Sequence, residues 1–266
     1  MKLEVLVAAM EQQDFSLCEK MNLQTGALII NQCVSDLPIL QQRQLNNAVV
    51  RMYTLPERGV GRSRNQAILH GEGDVFLFAD EDVVYLDGYE EIILSAFERY
   101  RDADMILFEV ESLNPDRPLG RIKKEKRVHA WEATSYGACR IAVRRDSLLK
   151  ANVWFSLLFG GGAQYMSGED SLFLQDIFHS GLHVYTVPRK IADITQETST
   201  WFEGYSERYF TDKGALYAAM YGKRAFLPLF YFAKRQASHT GQHSYQQVLK
   251  WMRRGFHEFL RREKNI

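Results

Sequence analysis

Three short stretches of this sequence hold residues that could do chemistry together. In the first, VFLFADEDVVYL (75–86), an apolar run ends on Asp80, Glu81 and Asp82 and then resumes. Adjacent carboxylates repel one another, and burying ionised acids without partners is costly. They either sit on a solvated turn or hold a cation. Asp80 and Asp82 are two residues apart, so in extended chain they point to one side while Glu81 points away. Two carboxylates at that spacing can bind Mg2+ or Mn2+ and leave sites for water and phosphate oxygens. The second stretch, GVGRSRNQAI (59–68), puts two glycines ahead of a helix start carrying Arg62, Arg64 and Asn65. Helix N-termini attract anions, and an arginine can grip a phosphate through two bonds. It is not a P-loop, because no Gly-Lys-Ser/Thr follows. The third, GGGAQYMSGEDSLF (160–173), runs a glycine loop with Gly161 and Gly162 into Ser167, Gly168, Glu169 and Asp170. Acids in a first turn complement the helix dipole. A carboxylate held there can also act as a general base toward a hydroxyl.

These residues need elements to position them. LEVLVAAM (3–10), GALIINQC (26–33), AVVRMYT (48–54), DVFLFAD (74–80) and ADMILFEV (103–110) read as buried strands. Helices are expected from Gly61 to Gly71 and over 88–102, where Ile92, Ile93, Ala96 and Phe97 share a face. Apolar strands alternating with helices predict an α/β fold with a mostly parallel sheet covered on both faces. In such sheets the ligand crevice lies beyond the C-terminal strand ends, where the acidic triplet falls. After Glu111 a polar excursion suggests a hairpin, followed by a strand and short helix over 135–155. A further helix opens at 167–170 and stops at Gly181, and LHVYTVP (182–188) is a last short strand. The spacing divides the chain into a domain over 1–214 and a basic, aromatic helical extension over 215–266.

The composition excludes little. Lys plus Arg and Asp plus Glu are 33 each, which gives no electrostatic case for nucleic acid. Three widely spaced cysteines form neither a zinc pattern nor a disulfide framework, which predicts reduced thiols and a cytoplasmic setting. No run resembles a signal peptide or approaches a membrane span. From Ala218 to Ile266, ten basic residues face two glutamates. Within it, Val248, Trp251, Met252, Phe256, Phe259 and Leu260 share one helical face, with most basic residues off it. Such a helix suits an anionic bilayer, packing on the catalytic domain, or a homo-oligomer contact.

In order along residues 3–215, the strand-end D-x-D, the upstream G-x-x-x-S-R-N helix start and the downstream G-E-D helix start resemble glycosyltransferase family 2. These are inverting nucleotide-sugar transferases of the GT-A fold, and STWFEGYSERYFTDKGA (199–215) resembles the tail of bacterial members that make surface polysaccharides. The resemblance implies a metal-dependent transfer from a nucleotide-diphosphate sugar, a UDP-sugar first, to a saccharide or lipid-linked saccharide. It implies that Asp80 and Asp82 hold Mn2+ or Mg2+, and that Asp170, with Glu169 beside it, is the base. The donor would lie against Ala8, Ala9, Gln32, Arg64, Asn65, Asp80, Glu81, Gly161, Gly162 and Trp201. INQC (30–33) stands where many members have paired aspartates, so Gln32 replaces an acid; an amide can still bond uracil both ways. The resemblance also implies work at the inner face of the cell membrane. Rival readings are a sugar nucleotidyltransferase, a glycoside hydrolase using Asp82 and Asp170, and a noncatalytic sugar-binding protein. A nucleotidyltransferase needs a basic phosphate loop after the first strand, and AAMEQQDF has no Lys or Arg.

Overall fold

The computed structural model describes residues 1–34, 38–45, 48–196 and 204–263. Its strands are β1 (Leu3–Met10), β2 (Gly26–Gln32), β3 (Ile39–Leu45), β4 (Ala48–Leu55), β5 (Val75–Asp80), β6 (Val83–Tyr85), β7 (Met105–Ser112), β8 (Lys126–Arg127), β9 (Ile141–Arg144) and β10 (Val184–Ile194). Its helices are α1 (Ser16–Lys20), α2 (Val60–His70), α3 (Tyr89–Arg99), α4 (Arg145–Ala151), α5 (Glu169–His179), α6 (Glu207–Tyr221), α7 (Phe226–Thr240) and α8 (Tyr245–Glu263). The strands form one sheet in the order β3-β4-β2-β1-β5-β9-β7-β10-β6, with β8 paired to β10. The block β4-β2-β1-β5 is parallel, as the apolar runs require. Beyond it, β9 runs antiparallel to both β5 and β7.

Alternation along the strands sends Val5, Val7 and Ala9 to one face with Met21, Tyr89, Ile93 and Phe97 of α1, α3 and their flanks. Leu6, Leu28, Phe76 and Phe78 go to the other, under α2, α5, α6 and the end of α8. Both faces are buried, so the central strands read as unbroken apolar runs.

Several elements depart from the sequence reading. The apolar residues after the acidic triplet do not extend β5. They form β6, which crosses to the sheet edge and pairs antiparallel with the end of β10. No hairpin forms in the polar excursion; it returns as β8 against Tyr185 and Thr186, followed by a 3₁₀ turn over Ala130–Ser135. The last strand continues past Pro188 to Ile194, and the register shifts between Val187 and Lys190. Proline lacks the ladder donor, so it is accommodated at this irregularity rather than ending the strand. β3, with six of its seven residues exposed, lacks any core pattern.

The expected boundary after Gly214 falls inside α6. There α6 crosses α8 at backbone distance: a Cβ on Gly214 would stand 1.9 Å from the Met252 carbonyl oxygen, and one on Gly255 1.8 Å from that of Thr211. Val248 and Met252 of α8 are fully buried against Phe210, and Phe259 joins the main core. The apolar face of α8 is therefore consumed by packing, and it does not present the lipid-facing surface its sequence suggests.

Candidate active site

Parallel pairing brings the C-terminal ends of β1 and β5 to one level, with Ala8 opposite Asp80. Asp80 follows Phe78 by two residues and so projects to the α2 and α5 side. Gly59, at φ 120°, turns the chain into α2, and Gly61 lets the first turn approach the 155–156 backbone. A Cβ on Gly61 would lie 2.3 Å from the Ser156 carbonyl oxygen. This close approach sets Arg64 beneath the strand ends, 4% exposed, with its guanidinium carbon 5.2 Å from the Phe155 ring centroid.

Arg64 gathers three carboxylates. One terminal nitrogen donates to Asp170 Oδ1 at 2.7 Å and Glu169 Oε1 at 3.1 Å; the other donates to Asp80 Oδ1 at 3.0 Å and Oδ2 at 3.2 Å. Burial opposes its charge, but the three acids raise its pKa above the ordinary value, so it stays charged. The guanidinium was expected to lie against the nucleotide and the D-x-D loop; its terminal donors reach Asp80 of that loop and also the acids that begin α5, in one cluster.

Glu169 and Asp170 begin α5. Gly168, at φ 125°, tucks against Leu216 of α6, where a Cβ would come within 2.7 Å of the leucine side chain. Glu169 Oε2 accepts from the Gly168 N–H at 3.0 Å, and Asp170 Oδ2 accepts from the Ala138 N–H at 3.0 Å. Burial pushes the Asp170 carboxyl up to about 7 against the pull of Arg64, with the Glu169 and Asp80 charges adding to the rise. A carboxylate poised near neutrality and fixed through both oxygens is suited to general-base work.

The D-x-D turn is held differently. Asp80 is 39% exposed despite its bond to Arg64. Asp82 Oδ1 is buried with no hydrogen-bond partner. Burial, then the neighbouring Asp80 charge, raises Asp82 to about 6. An orphaned acceptor beside a second carboxylate favours a proton or a cation, so the pair is chemically suited to a divalent ion. Among the described residues no group of three or more His, Cys, Asp or Glu side chains forms a metal cluster. Glu81 turns to the β1 end, where Oε2 accepts from the Met10 N–H at 3.2 Å and Gln12 Nε2 at 2.9 Å.

The remaining expected residues divide. Ala8 and Ala9 are buried at the end of β1, but Ala9 faces the core on the α1 and α3 side. Gln32 Oε1 accepts from the Gly59 N–H at 2.8 Å, which joins the β2 end to the start of α2. Asn65 was expected against the nucleotide and the D-x-D loop. Its amide instead pairs with the Phe155 backbone in both directions, at 2.9 and 2.8 Å. Gly161 and Gly162 were expected to admit a ligand. Here Gly161 accepts from the Val60 N–H at 2.9 Å, and Gly162 lies against Gly59, so the glycines admit neighbouring backbone. Trp201 lies outside the described residues. The sequence reading missed Asn31, whose buried amide clasps the Gln12 backbone through two 2.8 Å bonds. It also missed Ala138, whose contribution is a main-chain N–H without side-chain signal. Lys213 of α6, donating to Ser167 Oγ at 3.1 Å, was missed as well. So was Trp131, 75% exposed and stacked on His129 at 4.5 Å on the segment leading to Ala138.

The architecture is that of the GT-A fold: parallel strands deliver a D-x-D turn, and a helix start delivers the base candidate. Residues 28–149 match the family model described as glycosyl transferase family 2. Among solved structures, residues 1–349 of S. aureus TarS in complex with UDP-GlcNAc are similar at a TM-score of 0.64 and 14% identity, covering 98% of this chain and 90% of that one. The same TarS segment in complex with UDP gives 0.59 at 15% identity, with 90% and 73% covered. A further S. aureus TarS structure gives 0.58 at 15% identity, with 90% of this chain and 44% of that one covered. No curated protein matches the sequence.

Proposed function

We propose that this protein is a family 2 glycosyltransferase that moves a sugar from a UDP-sugar to a hydroxyl of a saccharide acceptor, with inversion at the anomeric carbon. The observation that carries the reading is the Arg64 cluster, which links the D-x-D aspartate Asp80 and the base candidate Asp170 through one guanidinium. The similar fold of a protein seen with UDP-GlcNAc supports the choice of nucleotide.

Asp170 takes the acceptor hydroxyl proton as that oxygen attacks the anomeric carbon. The new C–O bond forms while the bond to the β-phosphate oxygen breaks, and the electron pair leaves with UDP. One displacement gives one inversion. Arg64 and the Ala138 N–H hold the Asp170 oxygens in place and favour the ionised base. Mn2+ or Mg2+, held by Asp80 and Asp82, would supply charge neutralisation for the departing diphosphate. Trp131 offers an exposed aromatic face for acceptor sugar rings.

The test is a thermal-shift series with UDP, Mn2+ or both, joined to UDP release from a panel of UDP-sugars. A native-state ligand raises the melting temperature. UDP with Mn2+ should stabilise the wild type more than either alone, and Asp82→Ala should lose that synergy. No shift and no UDP release with any donor would defeat the reading.

A further inference from the structure

The sequence from Lys213 to His257 contains eight Lys or Arg and not one Asp or Glu. Most of the apolar surface in this stretch is buried, through α6, α8 and the inner side of α7, where Leu229 and Ala233 face the helical core. One apolar pair is not. Leu227 is 77% exposed and Tyr231 69% exposed, one helical turn apart on the outer side of α7. Lys234, Arg235 and Ser238 continue the same exposed stripe, and Lys223 and Arg224 stand exposed just before the helix. None of these four cations makes an ion pair among the described residues.

We infer that the outer face of α7 docks on an anionic lipid bilayer, lying in the plane of the headgroups. Leu227 and the Tyr231 ring enter the interface, and the cations at both ends meet lipid phosphates. The arrangement fits that occupant on two counts. A protein partner would need a dense set of acids to match this charge, whereas an anionic leaflet supplies it everywhere. An aliphatic side chain beside a tyrosine, flanked by snorkelling basic side chains, is the composition of an interfacial helix. The role moves from α8, whose apolar face is packed away, to α7. No described helix is long and apolar enough to cross a membrane. The inference goes beyond the proposed transfer reaction, and its test reads binding alone and does not depend on sugar transfer.

The experiment is co-sedimentation of the full chain with vesicles of equimolar phosphatidylcholine and phosphatidylglycerol at low salt, beside vesicles of phosphatidylcholine only. The wild type should pellet with the anionic vesicles, lose binding as salt rises, and bind the neutral ones poorly. Lys234→Glu/Arg235→Glu should weaken partitioning by at least about tenfold. Leu227→Glu/Tyr231→Glu should weaken it comparably, with the melting temperature kept because both side chains are exposed. Lys250→Glu/Arg253→Glu on α8, which reverses as many charges away from this stripe, should have a clearly smaller effect. Failure of the wild type to bind, or equal losses from the α7 and α8 charge pairs, would overturn the inference. So would a lipid-free dimer that the Leu227/Tyr231 substitutions dissolve, since a second copy would then be the occupant.

Discussion

The two acidic pairs of the site look alike in sequence and are held in opposite ways. Glu169 and Asp170 are fully engaged: Arg64, the Gly168 N–H and the Ala138 N–H occupy their oxygens. The second pair is held on one side only: Asp80 shares the Arg64 guanidinium but stays 39% exposed, and Asp82 has a buried oxygen without a hydrogen-bond partner. The first pair is built before substrate arrives, as a group that must move a proton along a fixed line should be. In the second, Asp82 lacks a counter-charge, as a group that gains a cation with its ligand should. Arg64 joins them, so in the proposed mechanism the acceptor side and the donor side share one counter-charge.

The most severe break of this contrast is Asp170→Asn. Loss of a general base should reduce kcat on the order of a thousand-fold while leaving the synergy of UDP and Mn2+ in the melting curve intact. In the wild type, kcat should rise with pH to a limb near 7, where Asp170 ionises. The stability effect has the opposite sense. A carboxyl raised in the folded state lends stability that is complete below its ordinary value near 4 and is lost as pH rises through about 7. Asp170→Asn should therefore melt above the wild type at pH 8 and level with it at pH 4. A kcat limb unchanged by pH, or the reverse melting order, would remove Asp170 from the role.

Arg64 tests the shared counter-charge. Arg64→Met leaves three carboxylates facing one another in a buried setting, and a loss of about 3–5 kcal/mol in denaturant unfolding is expected. Arg64→Lys keeps the charge but lacks the fork that spans both sides. It should lower kcat and weaken the response to Mn2+ together, because Asp170 and Asp80 cannot both be reached. A loss confined to one of the two measurements would mean that the pairs are not joined.

The smallest effect sharpens the contrast from a distance. α6 supports the base side through Asp212 Oδ2, which accepts from the Met166 N–H at 2.9 Å, and through Leu216 under Gly168. Among the described residues it makes no hydrogen bond to the D-x-D turn. Gly214→Ala forces α6 and α8 apart and should cost about 1–3 kcal/mol. Turnover should fall with it, while stabilisation by UDP and Mn2+ persists. Equal damage to both sides would mean that α6 supports the whole site.

Much of this site was legible because each pair is local. A carboxylate at the end of an apolar run, or after a glycine at a helix start, is placed by its own neighbours in sequence, whichever sheet they enter. The same holds for β1, β2, β4 and β5, whose unbroken apolar runs follow from burial on both faces. Asn65 and the glycines Gly161 and Gly162 were legible as special but not in purpose. Their partners are the backbone at Phe155, 90 residues from Asn65, and at Gly59 and Val60. Ala138 gave no signal at all, because a main-chain donor is independent of side-chain identity.

Sequence by itself determined the α/β strand-helix order, the acids that end β5 and begin α5, and the basic character of the C-terminal region. Tertiary structure decided that Arg64 binds those acids together, since only the approach of α2 to the 155–156 backbone buries the guanidinium between β5 and α5. It also decided which amphipathic C-terminal helix stays free. α7 and α8 both mix aromatic and basic residues. The glycine crossing of α6 and α8 buries the apolar face of α8, and Leu227 and Tyr231 of α7 are left outside it.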